Sequence, residues 1–585
     1  MFYLVLMLLL LVASACLGLS KYVATRILGF VAAATTFIAA LLLLVEWQQG
    51  SVLDVPPLTW VQSGSMVMAV APTPGVLELA LALTLLYGGT LALLTLALTL
   101  APTVRGFGTL FAWVLLALAA ALLGLNSSRL LLPFIWALTV LLGYAAVRSS
   151  GALSRSEALP QGVTVGLLSS LLLLGCLLVI EPDLMTATMP PAVPVIGVTL
   201  ACVILVGGAP FHNAFDELVM APAALGAFLY GCVLPVLAIS TLLNVLNALP
   251  AEFVPFWRSV LIGPGILSLL ASVTGALREH RVRRLLGWQA SAQASLALVS
   301  VGLAGPLAVL ATPVLFINLA FTTITGGIAA TLLERLTGSD DFTQTESAAR
   351  LRWPGVFWGL AALSALGLPP WWGFWGRYWL IETTITQASW VVPLIMAATI
   401  LAALAYLGPL AKFWEGRQSS PEVVALDVAV PHPTTLLPGD MIVLCLALLP
   451  LLVLGVWPGL VWQTWLQGIP GGPAALPIGT ALLTLNLVVA VVGLLLLPLL
   501  LRLSSARKTL SDEDMTPIML APDALAQGLS WLGWLARPEG LFQKVWRGMQ
   551  RLSAGMAVVV APFEQRFYMA AVLLAIISII VLMAQ

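Results

Sequence analysis

The sequence predicts an all-α, polytopic membrane protein of about 16 transmembrane helices. Composition is the first reason. The 585-residue chain is 61% hydrophobic and 9% charged, whereas soluble proteins carry about 25% charged residues. The apolar runs are the second. They are continuous rather than alternating, and many reach the roughly 20 residues that a helix needs to cross hydrocarbon. Continuous runs point to helices, which satisfy their own backbones in lipid. Charge distribution is the third. With the loop Lys21–Arg26 placed in the cytoplasm, cytoplasmic loops hold 22 of the 25 Lys and Arg. The opposite loops hold Arg129 and Arg258, and Arg377 falls inside a span. This is the positive-inside pattern; it requires an even count and puts both termini on the non-cytoplasmic side.

The spans follow in order. Residues 1–105 supply three, near 2–19, 26–46 and 75–101. The first lacks a basic start and is followed by Lys21 and Arg26, which suits a retained helix rather than a signal peptide. Residues 106–247 supply five, near 106–125, 130–147, 162–180, 193–211 and 222–247. Residues 248–413 supply another five, near 259–277, 285–304, 306–333, 355–382 and 389–411. Residues 414–502 hold spans near 441–457 and 476–501, and residues 566–585 hold the last, near 567–584. Between them, 503–565 is cut by Pro522 and Pro538 into short helices. On the second of these, Lys544, Arg547 and Arg551 share one face and Phe542, Trp546 and Met549 the other. Such a helix lies in the membrane interface or along a partner subunit.

Two spans are interrupted. The seventh breaks at Gly207–Gly208–Ala209–Pro210, and the twelfth at "GLPPWWGFWGRYW", 367–379. Pro210, Pro369 and Pro370 remove backbone donors and clash with the preceding turn, so the helices are expected to break there. Freed backbone groups in a membrane must face protein or a water-filled cavity. Broken helices five spans apart suggest two inverted five-helix units, 106–247 and 248–413, and a transport site.

Much is excluded. Net charge is zero, so no nucleic-acid partner is indicated. The five cysteines all fall in apolar runs without metal-ligand spacing. There is no phosphate loop, dinucleotide fingerprint or zinc motif. No catalytic residue, cofactor or metal is expected in this chain.

Four stretches carry a family resemblance. "APFHNAFDELVMAPAALGA" follows the broken seventh span, "RRLLGWQASAQAS" opens the tenth, "LGLPPWWGFWGRYWLIE" lies in the twelfth and "PFIWALTVLLGYAAV" in the fifth. In this order they resemble the antiporter-like membrane subunits of respiratory complex I. That family includes the large subunits of Mrp-type sodium/proton antiporters and of membrane-bound hydrogenases. The resemblance covers roughly residues 75–415. It implies an antiporter-like core of two inverted five-helix repeats with helices 7 and 12 broken, and a proton path near the bilayer midplane. The family builds that path from a glutamate on the fifth helix, lysines on the seventh and eighth, a lysine or histidine on the eleventh, and a lysine or glutamate on the twelfth.

Carried over one by one, those positions are substituted. The fifth-helix glutamate falls on Ala137, after Trp136. The seventh-helix lysine falls on Leu205 and the eighth-helix lysine on Pro235, with a nearby histidine position on Tyr230. The eleventh-helix position falls near Thr322. Only the twelfth keeps a charge, as Arg377. Leucine, alanine and proline carry no proton, and arginine keeps its proton at physiological pH.

The expected function is therefore a membrane-arm subunit of a complex I-like, redox-driven, ion-translocating assembly, with a degenerate or modified proton path. Its partners would be other integral membrane subunits and the lipid bilayer, with protons or cations as possible cargo; any oxidoreductase activity would belong to the partners. The alternatives are an Mrp-type cation/proton antiporter subunit and a non-transporting structural subunit of another membrane enzyme. Arg377 has two readings: a cap for the broken half-helix, or a fixed charge that tunes or blocks a hydrated path. Glu382, five residues on, is a candidate partner at a poor helical offset. His212 reads as a proton relay or as a partner for loose carbonyls. Asp216 and Glu217 read as the wall of a cytoplasmic vestibule or as caps for the next helix.

Overall fold

A computed structural model describes residues 2–49, 57–63, 66–71, 75–99, 106–151, 161–180, 192–209, 211–212, 216–246, 254–342, 348–415 and 436–459. The spans expected near 476–501 and 567–584, the 503–565 segment and Pro210 lie outside the described residues.

The chain is mostly helical and membrane-embedded. Among the described residues, nine helices are long and apolar enough to cross a membrane. In order come α1 (Phe2–Leu19), α2 (Thr25–Gln49), α3 (Val76–Thr99), α4 (Gly108–Leu125), α5 (Leu132–Ser149), α6 (Gln161–Ile180) and α7 (Ala192–Leu205). A short helix, Asp216–Met220, leads into α8 (Ala223–Leu246). Then follow α9 (Val254–Ala276), α10 (Val282–Gly302), α11 (Pro306–Thr337), α12 (Ala348–Ala365), α13 (Trp372–Gln387), α14 (Val391–Glu415) and α15 (Pro438–Val456). The pair α12 and α13 are the two halves of the interrupted span near 355–382.

The continuous apolar patterns made these helices legible, with ends shifted by a few residues. One element was not legible. Strands β1 (Leu58–Ser63) and β2 (Met66–Val70) pair antiparallel between α2 and α3. The hairpin is held down by Ala69 N–H donating to Ser128 Oγ (3.0 Å) and Tyr3 Oη donating to Val70 O (3.1 Å).

The 32-residue α11 is the axis of the molecule. It contacts α3, α8, α10, α12, α13 and α15 and is buried along nearly its whole length. Small residues allow these close approaches. A Cβ on Gly231 of α8 would collide with the side chain of Thr323, and one on Gly326 of α11 would collide with Leu286 of α10.

Each broken helix closes on a glycine ahead of its prolines. α7 ends with Gly207 at φ +64° and α12 with Gly367 at φ +73°. Gly208 N–H donates to Val203 O (2.8 Å) and Gly207 N–H to Ile204 O (3.1 Å). Leu368 N–H donates to Leu363 O (3.1 Å) and Gly367 N–H to Ser364 O (3.0 Å). Both are Schellman stops, in which a left-handed glycine closes the last carbonyls. Proline follows in the sequence as a residue that cannot continue the helix. The two stops use the same bonds 160 residues apart.

Proline does act in α8. Residues Leu229–Val233 form a π segment just before Pro235. Pro235 lacks the N–H that would bond Gly231 O, and its ring crowds that carbonyl, so the turn widens there. The fully buried Tyr230 sits in the widened turn.

Candidate functional site

Each break leaves carbonyls and amides without helical partners, and buried in a membrane they need others. At the first break, Ser291 of α10 donates from Oγ to Gly207 O (2.9 Å). Ser268 of α9 accepts from Ala209 N–H (2.9 Å). Ser272 Oγ lies 2.9 Å from Ser291 Oγ and extends this cluster. His212 is buried; its Nδ1 lies 3.4 Å from Gly207 O, and its ring stands edge-on to Trp288 with centroids 4.7 Å apart. Asp216 and Glu217 form the first turn of the short helix that precedes α8.

At the second break the partners are an amide chain and Arg377. Asn318 of α11 donates from Nδ2 to Ser364 O (3.3 Å) and to Gln293 Oε1 (2.9 Å). Ser364 Oγ donates to Asn318 Oδ1 (2.7 Å). Gln293 Nε2 donates to Thr322 Oγ1 (2.9 Å). Gly373 N–H reaches Ser364 Oγ at 3.4 Å. Arg377, 8% exposed, donates from Nη2 to Ala365 O (2.8 Å) and from Nη1 to Thr399 Oγ1 of α14 (2.5 Å). The structure thus joins Thr322 to the break through Gln293 and Asn318, and sets Arg377 on the end of α12. Glu382 is exposed and bonds Tyr378, one turn back on α13, rather than Arg377.

Leu205, Pro235 and Ala137 lie elsewhere. Leu205 lines a cavity between α5, α6, α7 and α8 with about 40 Å³ of water-sized space. Its other walls include Val140, Tyr144, Ile204, Leu229, Val233 and Leu234. Thr139 also lines it, but its hydroxyl already donates to Ile135 O at 2.8 Å. Its lining is mostly apolar, with the Thr139 and Tyr144 side chains as its hydroxyl groups. Pro235 follows the π segment, and Ala137 is half-buried on α5.

A charged cluster closes the end of the bundle where α10 begins. Arg283 makes a two-point pair with Glu334 of α11, Nε–Oε1 and Nη2–Oε2 both at 2.5 Å. Its Nη1 donates to Met220 O (2.9 Å) and Ala221 O (3.0 Å). Arg335 pairs with Asp440, whose Oδ2 also accepts from Leu437 N–H (2.9 Å) at the start of α15.

Sequence reasoning missed the neutral partners: Ser268, Ser291, Gln293, Asn318, Ser364 and Thr399. A signal existed. Gln293 and Asn318 are amides within apolar runs, and such groups must find bonds across a helix interface.

At both breaks a glycine-stopped helix is served by polar side chains from neighbouring helices. Residues 166–404 match the family described as NADH:quinone oxidoreductase/Mrp antiporter, TM, so the resemblance read in the sequence holds over the centre of the chain. The chain is 26% identical over 217 residues to NADH-quinone oxidoreductase subunit N of Caulobacter sp. (strain K31), a match covering 36% of this chain and 44% of that relative. It therefore spans about half the length of the curated relatives it matches. Among the solved structures that share the fold are the following two. One, the membrane-bound sulfane sulfur reductase described as an archaeal respiratory membrane complex, matches at TM-score 0.75 and 15% identity over 99% of both chains. The other, respiratory complex I from Thermus thermophilus, matches at TM-score 0.65 and 18% identity over 80% of this chain and 98% of that chain. Both belong to multi-subunit membrane complexes.

Proposed function

We propose that this chain is an antiporter-like membrane-arm subunit of a complex I-like, redox-driven assembly, and that its own proton path is degenerate. The likeness to subunit N relatives supports the first half. The observation that carries the second half is the use made of the polar groups at the breaks. Ser291, Ser268, Asn318 and Arg377 bond backbone atoms that the breaks set free. Amides and hydroxyls do not titrate near neutral pH, and an arginine keeps its proton. The position where the family carries its seventh-helix lysine is Leu205, beside a mostly apolar cavity. Of the described groups at the breaks His212 titrates near neutral pH, and its Nδ1 faces Gly207 O; Ser291, Ser268, Asn318, Arg377 and Leu205 supply no switchable charge to couple to redox chemistry.

In this reading the core is two inverted five-helix repeats, 106–247 and 248–413, within about 16 spans. Both termini lie on the non-cytoplasmic side, and the partners are other integral membrane subunits. Residues 1–105, 414–502 and 566–585 add flanking spans, and 503–565 lies along the membrane or a partner. Arg377 holds the end of α12, and His212 serves the first break. Asp216 and Glu217 open the short helix before α8 and read as the wall of a cytoplasmic vestibule, since the N-cap of α8 is Pro222 without a side-chain cap bond. The chain itself carries no redox cofactor.

Purification from native membranes through a tag on this chain tests the assignment. Co-purifying iron–sulfur or quinone-reducing subunits support it. Small Mrp-like membrane subunits, or cation/proton exchange by the chain reconstituted without redox partners, would overturn it in favour of an antiporter.

A further inference from the structure

A cleft of about 340 Å³ opens at the end of the bundle where α10 starts. Its walls are Arg281, Arg283 and Arg284 of the α10 entrance, Glu334 of α11, Gly338–Asp340 beyond it, and Val219 with Met220 of the short helix. Arg283 and Glu334 neutralise each other in their two-point pair. The rest of the lining carries Arg281 and Arg284 against one carboxylate, Asp340, a surplus of one positive charge. The backbone fixes this geometry: Val282 N–H donates to Asp340 O (2.8 Å), and Phe342 N–H to His280 O (3.2 Å). Two arginines are therefore held at the rim of a preformed polar cavity at the level where a membrane helix begins. Met220, 45% exposed, gives the same rim an apolar edge.

We propose that this cleft binds a phosphate-bearing anion, with Arg281 and Arg284 as its ligands. Guanidinium groups match phosphate oxygens in a fork geometry. Basic pockets between membrane helices on the cytoplasmic side take anionic headgroups. The volume holds a phosphate with its bridging waters, and Met220 lies where the first carbons of a lipid would leave. The site is separate from the helix breaks, and its test does not depend on redox partners.

The full chain is placed in phosphatidylcholine nanodiscs with and without phosphatidylglycerol, and the retained anionic lipid is counted by native mass spectrometry. Each arginine adds attraction to an anionic headgroup, so Arg281→Ala/Arg284→Ala is expected to weaken retention by about tenfold or more. Lys21→Ala, an exposed charge outside the cleft, removes a charge expected on the same side and controls for diffuse attraction; its effect should be much smaller. A second arm adds inorganic phosphate to the phosphatidylcholine nanodiscs and follows the unfolding temperature. Protection there, lost in the double variant, makes free phosphate the ligand; selective retention of phosphatidylglycerol alone makes it a lipid headgroup. Equal retention and equal protection in parent and double variant, or an equal loss with Lys21→Ala, would overturn the site.

Discussion

A guanidinium at position 377 stays charged across the physiological pH range. Placing it inside the bilayer costs at least ~2.5–3.5 kcal/mol on insertion scales. Hydrogen bonds to a charged group return about 1.5–3 kcal/mol each, and Arg377 makes two, to Ala365 O and Thr399 Oγ1. The terms balance to within a few kcal/mol, so the residue is tolerable without a carboxylate partner. Arg377→Met should fold, with an unfolding temperature within a few degrees of the parent. Arg377→Glu should not accumulate, because it sets an acceptor against the carbonyl end of α12. Membrane-fraction yield and thermal unfolding check both. The Arg283–Glu334 pair behaves differently, because loss of one member strands the other. Arg283→Ala is expected to cost about 2–3 kcal/mol, and Arg283→Ala/Glu334→Gln to recover part of it. A double-mutant cycle on unfolding measures this; additive losses would show that the pair is not coupled.

At the scale of elements, the breaks test the stop chemistry. If glycine ends the helices, Gly207→Ala and Gly367→Ala each cost about 1–2 kcal/mol for forcing a side chain into the left-handed region. Gly367→Ala should cost more, since its Cβ would also collide with the Arg377 side chain. Pro369→Ala should leave the α12 stop intact. Thermal unfolding of the three variants ranks them, and a larger loss for Pro369→Ala would return the break to proline. The same elements show where sequence is informative. Apolar runs fix helices because lipid admits little else, and the glycine–proline clusters mark the two interruptions. The hairpin Leu58–Val70 stayed hidden because its strands are short and flanked by apolar helices that dominate the pattern. The π segment stayed hidden because Pro235 alone does not say whether a helix kinks, stops or widens.

For the whole molecule, the sequence signalled the site by loss. Ala137, Leu205, Pro235 and Thr322 could be located because a family pattern names their positions. The partners that replace a titratable path could not, because serines and amides inside a helix gain meaning only from what they face. Seen in three dimensions, the polar groups of the second break form one connected set, from Thr322 through Gln293 and Asn318 to Ser364. Asn318→Leu should strand Gln293 and Ser364 at a cost of about 1–3 kcal/mol. Its effect should appear in assembly of the complex rather than in ion selectivity; normal assembly with altered selectivity would contradict a structural role.

Proton counting reaches the central claim most directly. The purified assembly is reconstituted in liposomes, and protons moved per electron pair are measured with the parent chain and with Arg377→Met at equal subunit content. A degenerate path predicts the same count for both. A lower count in the variant, with assembly and electron transfer intact, would show that this chain carries protons through Arg377 and would contradict the account.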